Sequence, residues 1–187
     1  PSSYGVVLKN STGNVIKFVE KPGEPVSKEA IIGVYYIKDG ILLFNSLFRL
    51  IKSGKPTKGE FQLTDALSLM IDGGHKFSTY TVREWWDCGN PELLLFAQSR
   101  ILAEMNISNF IEENAIIENS EIGFNVYIMS GARITNSRIS NSIIMGGTII
   151  KDSVIENSII GSNCVVEGYR GSLQIVSFSK IQGLISQ

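Results

Sequence analysis

Apolar residues in the second half of the chain recur at intervals of five or six: Ile117, Ile122, Ile128, Ile134, Ile139, Ile144, Ile150, Ile155, Ile160 and Val166. Two positions before most of them stands a small or modest side chain, in the series Ser120, Val126, Ala132, Ser137, Ser142, Thr148, Ser153, Ser158 and Cys164. The two series keep step through every change of interval. A helical period of 3.6 cannot generate this spacing, and a simple alternating strand does not advance by fives and sixes. Turns of a parallel β-helix can, because each short strand sends one aliphatic side chain inward and a tight corner follows. With three steps to a coil, the series predicts about three coils. An Ile-rich sandwich with chance spacing is the competing pattern.

The first half alternates between strand and helix grammar. Tyr4–Leu8 and Val15–Val19 are apolar stretches separated by turn residues that include Gly13, which predicts a hairpin. Ala30–Ile37 is rich in β-branched and aromatic residues and predicts a buried strand. Asp39 stands as an N-cap ahead of Leu42, Leu43, Leu47, Phe48, Leu50 and Ile51 at helical spacing, and Gly54 is placed to stop that helix. A second helix is expected from Thr64 and Asp65 to Gly73–Gly74, then a strand over Phe77–Val82. A third helix opens with Asn90 as cap and Pro91 at its first position, where the missing N–H costs nothing.

Composition sharpens the division. All five prolines and both tryptophans precede Phe110, beyond which the chain turns to Ile, Ser, Asn and Gly with few charges. Two domains are expected, residues 1–105 and residues 111–187. With 17 basic and 18 acidic residues in 187, there is no charge excess to drive nucleic-acid or anionic-membrane binding. No apolar run reaches membrane-span length, so neither partner is expected. Cys88, Cys164 and the single His75 lack metal-ligand spacing, which argues against a zinc site or disulfide scaffold and makes a cytoplasmic location the default.

Five motifs appear in order before the repeat: "YGVV" at Tyr4–Val7, "FVEKP" at Phe18–Pro22, "AIIGVYYI" at Ala30–Ile37, "KGEFQLTDAL" at Lys58–Leu67 and "WWDCGNPELL" at Trp85–Leu94. Together with the repeat they resemble sugar-1-phosphate nucleotidyltransferases, particularly the glucose-1-phosphate thymidylyltransferase type with a C-terminal β-helix. The resemblance runs from Tyr4 to Val166. It implies an α/β fold, the C-terminal half of a Rossmann-like nucleotide-diphospho-sugar transferase domain, followed by a left-handed parallel β-helix of hexapeptide type. The family's glycine-rich opening loop belongs upstream of "YGVV", as does its other metal-binding aspartate. The chain, beginning at Pro1, is therefore expected to be a fragment that is inactive without the N-terminal half.

The implied reaction joins a hexose-1-phosphate, glucose-1-phosphate favoured, to a nucleoside triphosphate, dTTP favoured, with loss of pyrophosphate. Such chemistry asks the protein mainly to align polyanions and offset their charge. By resemblance Lys21 binds the sugar phosphate, a task suited to a compact ammonium, and Glu20 accepts hydrogen bonds from sugar hydroxyls. Asp87 supplies a hard oxygen ligand to Mg²⁺. Trp85 stands beside the hexose or in the core; Trp86 is read as core. Gly5 lets the backbone approach the sugar where a Cβ would obstruct it. Lys58 occupies a position where the family often has an arginine near the phosphate, and Ile31 and Tyr35 line the sugar pocket. Out of context, Glu20–Lys21 is also a solvated pair before a turn, and Asp87 a turn residue. Glu60 and Asp65 are read as structural and His75 as a surface residue.

Hexapeptide acyltransferases use a histidine base, and residues 111–187 contain none, so acyl transfer is not expected there. Homo-oligomeric assembly is the expected work of the β-helix. The alternative reading is a structural, oligomerising β-helix joined to an inactive or regulatory sugar-phosphate-binding half; a generic sugar-binding fragment needs only the pocket.

Overall fold

The computed structural model describes residues 4–183, so the termini, including Pro1, lie outside the described residues. The chain divides into two compact units between Trp85 and Trp86.

In the first unit, β1 (Val6–Lys9) and β2 (Val15–Val19) form the expected antiparallel hairpin. The turn is held by Asn10, whose side-chain oxygen accepts the backbone N–H groups of Thr12 and Asn14. Helix α1 (Gly40–Ser53) starts where Asp39 accepts the Leu42 N–H at 3.0 Å and ends at Gly54 in the left-handed region. Helix α2 (Leu63–Asp72) stops at Gly73. The core here gathers Val7, Val15, Phe18, Leu67 and Met70.

Two expected strands are absent. Ala30–Ile37 makes only an isolated bridge from Ala30 to Val6, and Phe77–Val82 only one from Phe77 to Val15. A strand needs a lateral neighbour for its N–H and C=O groups, and among the described residues neither segment has one along its length. Ile31, Ile37 and Phe77 still pack against the core of the unit, while Val34, Tyr36 and Tyr80 are 80–92% exposed.

The second unit opens with α3 (Pro91–Glu104), capped by Asn90, which accepts the Leu93 N–H at 2.8 Å. Twelve short strands follow. These are β3 (Asn109–Ile111), β4 (Ile116–Glu118), β5 (Glu121–Ile122), β6 (Val126–Ile128), β7 (Arg133–Thr135), β8 (Arg138–Ile144) and β9 (Ile149–Lys151). The last are β10 (Val154–Ile160), β11 (Val165–Glu167), β12 (Arg170–Gly171), β13 (Gln174–Ile175) and β14 (Lys180–Gln182). One sheet runs β12-β10-β8-β6-β3, with β13 beside β10 and β5 beside β8; the other runs β14-β11-β9-β7-β4. Every pairing within them is parallel, each strand stacking on its counterpart one turn away. The result is a parallel β-solenoid of about five turns, consistent with the left-handed β-helix expected.

Five turns exceed the three read from the repeat. The fifth was hidden because Gly171 takes the register position of Ile155, and Ile175 follows it after only four residues. The first begins before Ile117, at Asn109–Ile111 beneath Val126–Ile128.

Both series of the repeat have a physical role. Ile128, Ile134, Ile139, Ile144, Ile150, Ile155, Ile160 and Val166 are at most 1% exposed and stack along the solenoid axis. The small residues sit at the corners. Ser153 Oγ donates to the Lys151 carbonyl at 2.6 Å and accepts the Tyr169 N–H of the next turn at 3.1 Å. Ser137, Ser142 and Ser158 repeat this arrangement. A serine there satisfies two backbone groups that a buried corner would otherwise strand. The residue just before each corner has positive φ, which explains why Asn119, Asn136, Asn141, Asp152 and Asn157 precede the serines. Helix α3 is tied to the solenoid by Gln98, which donates to Asn125 O at 2.9 Å, while Asn125 donates to Leu95 O at 3.1 Å. Among the described residues no helix is long and apolar enough to cross a membrane.

Candidate functional site

The first unit holds a cleft of about 300 Å³. Six of the eight expected site residues line it: Gly5, Glu20, Lys21, Ile31, Tyr35 and Trp85. The hairpin brings the first three together, since Val6 pairs with Val19 and the residues just beyond that pair face the same opening. The segment before Ile31 runs alongside β1, with Val7 N–H donating to Glu29 O at 3.1 Å and Ile31 N–H to Gly5 O at 2.7 Å.

Gly5 is buried, and its missing Cβ is accounted for within the protein. A Cβ there would lie 2.9 Å from Glu20 Oε2, 3.1 Å from Ile31 Cδ1 and 3.3 Å from Thr64 Cγ2. The glycine therefore makes room for the Glu20 carboxylate at the floor of the cleft. Thr64, buried in the first turn of α2, donates its hydroxyl to Glu20 Oε2 at 3.2 Å. Tyr35 has its pKa raised, chiefly by burial and then by the negative charge of Glu20, so its hydroxyl stays protonated and can donate. Trp85 is 39% exposed, packing edge-on against Tyr4 with ring centroids 5.2 Å apart. It belongs to the wall of the cleft and not to the core.

Lys58 is not in the cleft wall. Its ammonium donates to the main-chain carbonyl of Lys21 at 2.5 Å. Asp87 lies in the second unit, half-buried, with Oδ1 accepting the Gly89 N–H at 2.8 Å. Among the described residues no group of three or more His, Cys, Asp or Glu side chains could hold a metal ion. Mg²⁺ keeps several waters and takes only one or two carboxylates beside substrate phosphates, so Asp87 fits as a single ligand of such an ion. Trp86 is half-buried and His75 exposed. Asp65 sits in the first turn of α2, with one carboxylate oxygen buried and unbonded.

Sequence reasoning missed Thr64, Tyr4, Ile32 and Gly33, which complete the cleft or support it. Thr64 lies inside a motif already noted, yet its partner Glu20 is 44 residues away. A second groove, of about 560 Å³, runs along one solenoid corner and contains none of the expected residues. Several of its polar groups are engaged with one another, as in the Arg138–Glu121 ion pair and the Asn136–Asp152 hydrogen bond.

Comparison with known proteins agrees with the motifs. The family model described as "Nucleotidyl transferase" matches residues 1–104. A glucose-1-phosphate thymidylyltransferase of Streptomyces antibioticus is 31% identical over 143 residues, covering 74% of this chain and 37% of that protein. A low-salt glycan biosynthesis nucleotidyltransferase of Haloferax volcanii is 30% identical over 109 residues, 57% of this chain and 29% of its own length. The bifunctional protein GlmU of Methanococcus aeolicus is 32% identical over 129 residues, 65% of this chain and 29% of that protein. The chain thus spans about a third of the length of these curated relatives. With a family model matched over more than half its residues, the chain belongs to the nucleotidyl transferase family, the sugar-1-phosphate nucleotidyltransferases that its motifs resemble.

Proposed function

We propose that this chain supplies the sugar-phosphate-binding half of an enzyme that joins glucose-1-phosphate to a nucleoside triphosphate, with dTTP as the favoured donor. The observation that carries the reading is the cleft, which draws Gly5, Glu20, Lys21, Ile31, Tyr35 and Trp85 from distant stretches to one place. Its chemistry suits a phosphorylated sugar. Lys21 offers an ammonium to the phosphate, Glu20 accepts from hydroxyls, Tyr35 donates, and Trp85 presents an aromatic wall. In the reaction a phosphate oxygen of the sugar attacks the α-phosphorus of the triphosphate, the new P–O bond forms, and pyrophosphate leaves. Lys21 orients the attacking phosphate and offsets its charge in the transition state. Mg²⁺ would supply charge neutralisation on the phosphates, and Asp87 is the residue proposed to hold it.

Nucleotide binding is assigned to an N-terminal half outside this chain. The relatives' greater length supports this, as do the exposed Val34, Tyr36 and Tyr80, on segments that among the described residues pair with a strand only at their first residue. Assembly into a homo-oligomer through the solenoid is part of the same proposal.

Calorimetric titration of the chain with glucose-1-phosphate tests the reading. Binding is expected, and Lys21→Ala should weaken it about tenfold or more, the worth of a charge-assisted hydrogen bond. The chain alone should release no pyrophosphate from dTTP. Absence of hexose-1-phosphate binding, or equal affinity in Lys21→Ala, would sink the assignment.

A further inference from the structure

Lys21 has φ of 40°, in the left-handed region, although it carries a side chain and precedes a proline. Both features oppose that conformation. A Cβ crowds the carbonyl there, and the Pro22 ring pushes the preceding residue toward extended backbone. Pro22 is buried, so the chain beyond Lys21 is pinned. Something must hold the residue where it is.

The only hydrogen bond to the Lys21 carbonyl among those described comes from Lys58 Nζ, 37 residues away, at 2.5 Å. Lys58 is itself set for the task. Thr57 N–H donates to Glu60 O at 2.9 Å and Glu60 N–H to Thr57 O at 3.1 Å, closing a tight turn. Its central residues, Lys58 and Gly59, have φ of 53° and 87°, the pattern of a type I′ turn. The turn fixes the direction in which the Lys58 side chain leaves the backbone. Two left-handed lysines are thus joined by one charge-assisted bond between the exit of β2 and the connection from α1 to α2.

We propose that Lys58 is a positioning residue, whose ammonium clamps the Lys21 main chain so that the Lys21 side chain is presented to the cleft. The proposal rests on the reading of Lys21 as the phosphate-binding group. It replaces the sequence-based expectation that position 58 contacts phosphate for itself. Lys58 is not among the residues that line the cleft, and its effect on a ligand passes through Lys21.

Two measurements on the whole chain test this. In isotope-labelled protein, the Lys21 HN–Hα coupling and Cα shift report its φ without any ligand. Lys58→Met should move both toward extended values, while Lys58→Arg, which keeps a donor, should retain the left-handed signature. Titration with glucose-1-phosphate then forms a double-mutant cycle. Lys58→Met should weaken binding about tenfold in the native background and less than about twofold when Lys21 is already Ala. Equal losses in both backgrounds would make Lys58 an independent phosphate ligand and overturn the proposal, as would an unchanged Lys21 coupling in Lys58→Met. If the native chain fails to bind glucose-1-phosphate, the function assigned to the cleft falls, while the Lys21 coupling still decides whether Lys58 sets that backbone.

Discussion

Gly5→Ala is the sharpest probe of the cleft floor. No left-handed φ burdens Gly5, so alanine meets no backbone strain and the whole effect comes from contacts. Its Cβ would be 2.9 Å from Glu20 Oε2 and 3.1 Å from Ile31 Cδ1, each closer than an ordinary contact. The carboxylate is the end of a flexible side chain and can yield by a few tenths of an ångström. Yielding, however, strains the 3.2 Å bond from Thr64, and Thr64 Cγ2 itself lies 3.3 Å from the new methyl. Overpacking of this kind costs about 1–3 kcal/mol, and relaxation of Glu20 toward solvent keeps it near the lower end. For a unit of this size, about 1 kcal/mol lowers the melting temperature by about 4–8 °C. Differential scanning calorimetry measures that shift, and glucose-1-phosphate titration measures the loss of a correctly placed Glu20. Thr64→Ser removes the methyl and keeps the hydroxyl, so adding it to Gly5→Ala should recover part of both losses. If Gly5→Ala melts and binds as the native chain does, the packing of Glu20 over Gly5 cannot be what the cleft depends on.

In the solenoid, Ser153→Ala removes a donor to Lys151 O and strands the Tyr169 N–H; a loss of about 1–3 kcal/mol is expected from chemical denaturation, with faster amide exchange at Tyr169. Acid should loosen the first turns through Glu112, whose pKa is lowered by the Tyr127 hydroxyl and then by the Ser130 N–H. Its folded pKa lies below its unfolded one, so its contribution is present above the ordinary carboxylate range and disappears as pH falls through the lowered value. Titration followed by NMR should show this for Glu112, and Glu112→Gln should abolish the pH dependence of that corner.

Much of the molecule was readable because its determinants are local. Asp39, Gly54, Asn90 and Pro91 act on N–H and C=O groups within a few residues, and the helices begin and end where they dictate. The solenoid was readable for the same reason, since each Ile and each corner serine repeats a local geometry. The count of turns failed where Gly171 left no side chain to continue the series. Ala30–Ile37 and Phe77–Val82 carry strand-forming residues, but a strand is a relation between two segments, and composition does not supply the second.

The site divides in the same way. Motif order singled out Gly5, Glu20, Lys21, Ile31, Tyr35 and Trp85, and the fold gathers them into one cleft. What surrounds Gly5, what holds Glu20 and what Lys58 touches were decided only in three dimensions. Thr64 meets Glu20 across 44 residues, and Lys58 meets the Lys21 carbonyl across 37. Chain sequence by itself determined which groups could carry charge, cap helices or turn corners. Tertiary structure decided their partners, because a hydrogen bond depends on distance in space and not on distance along the chain.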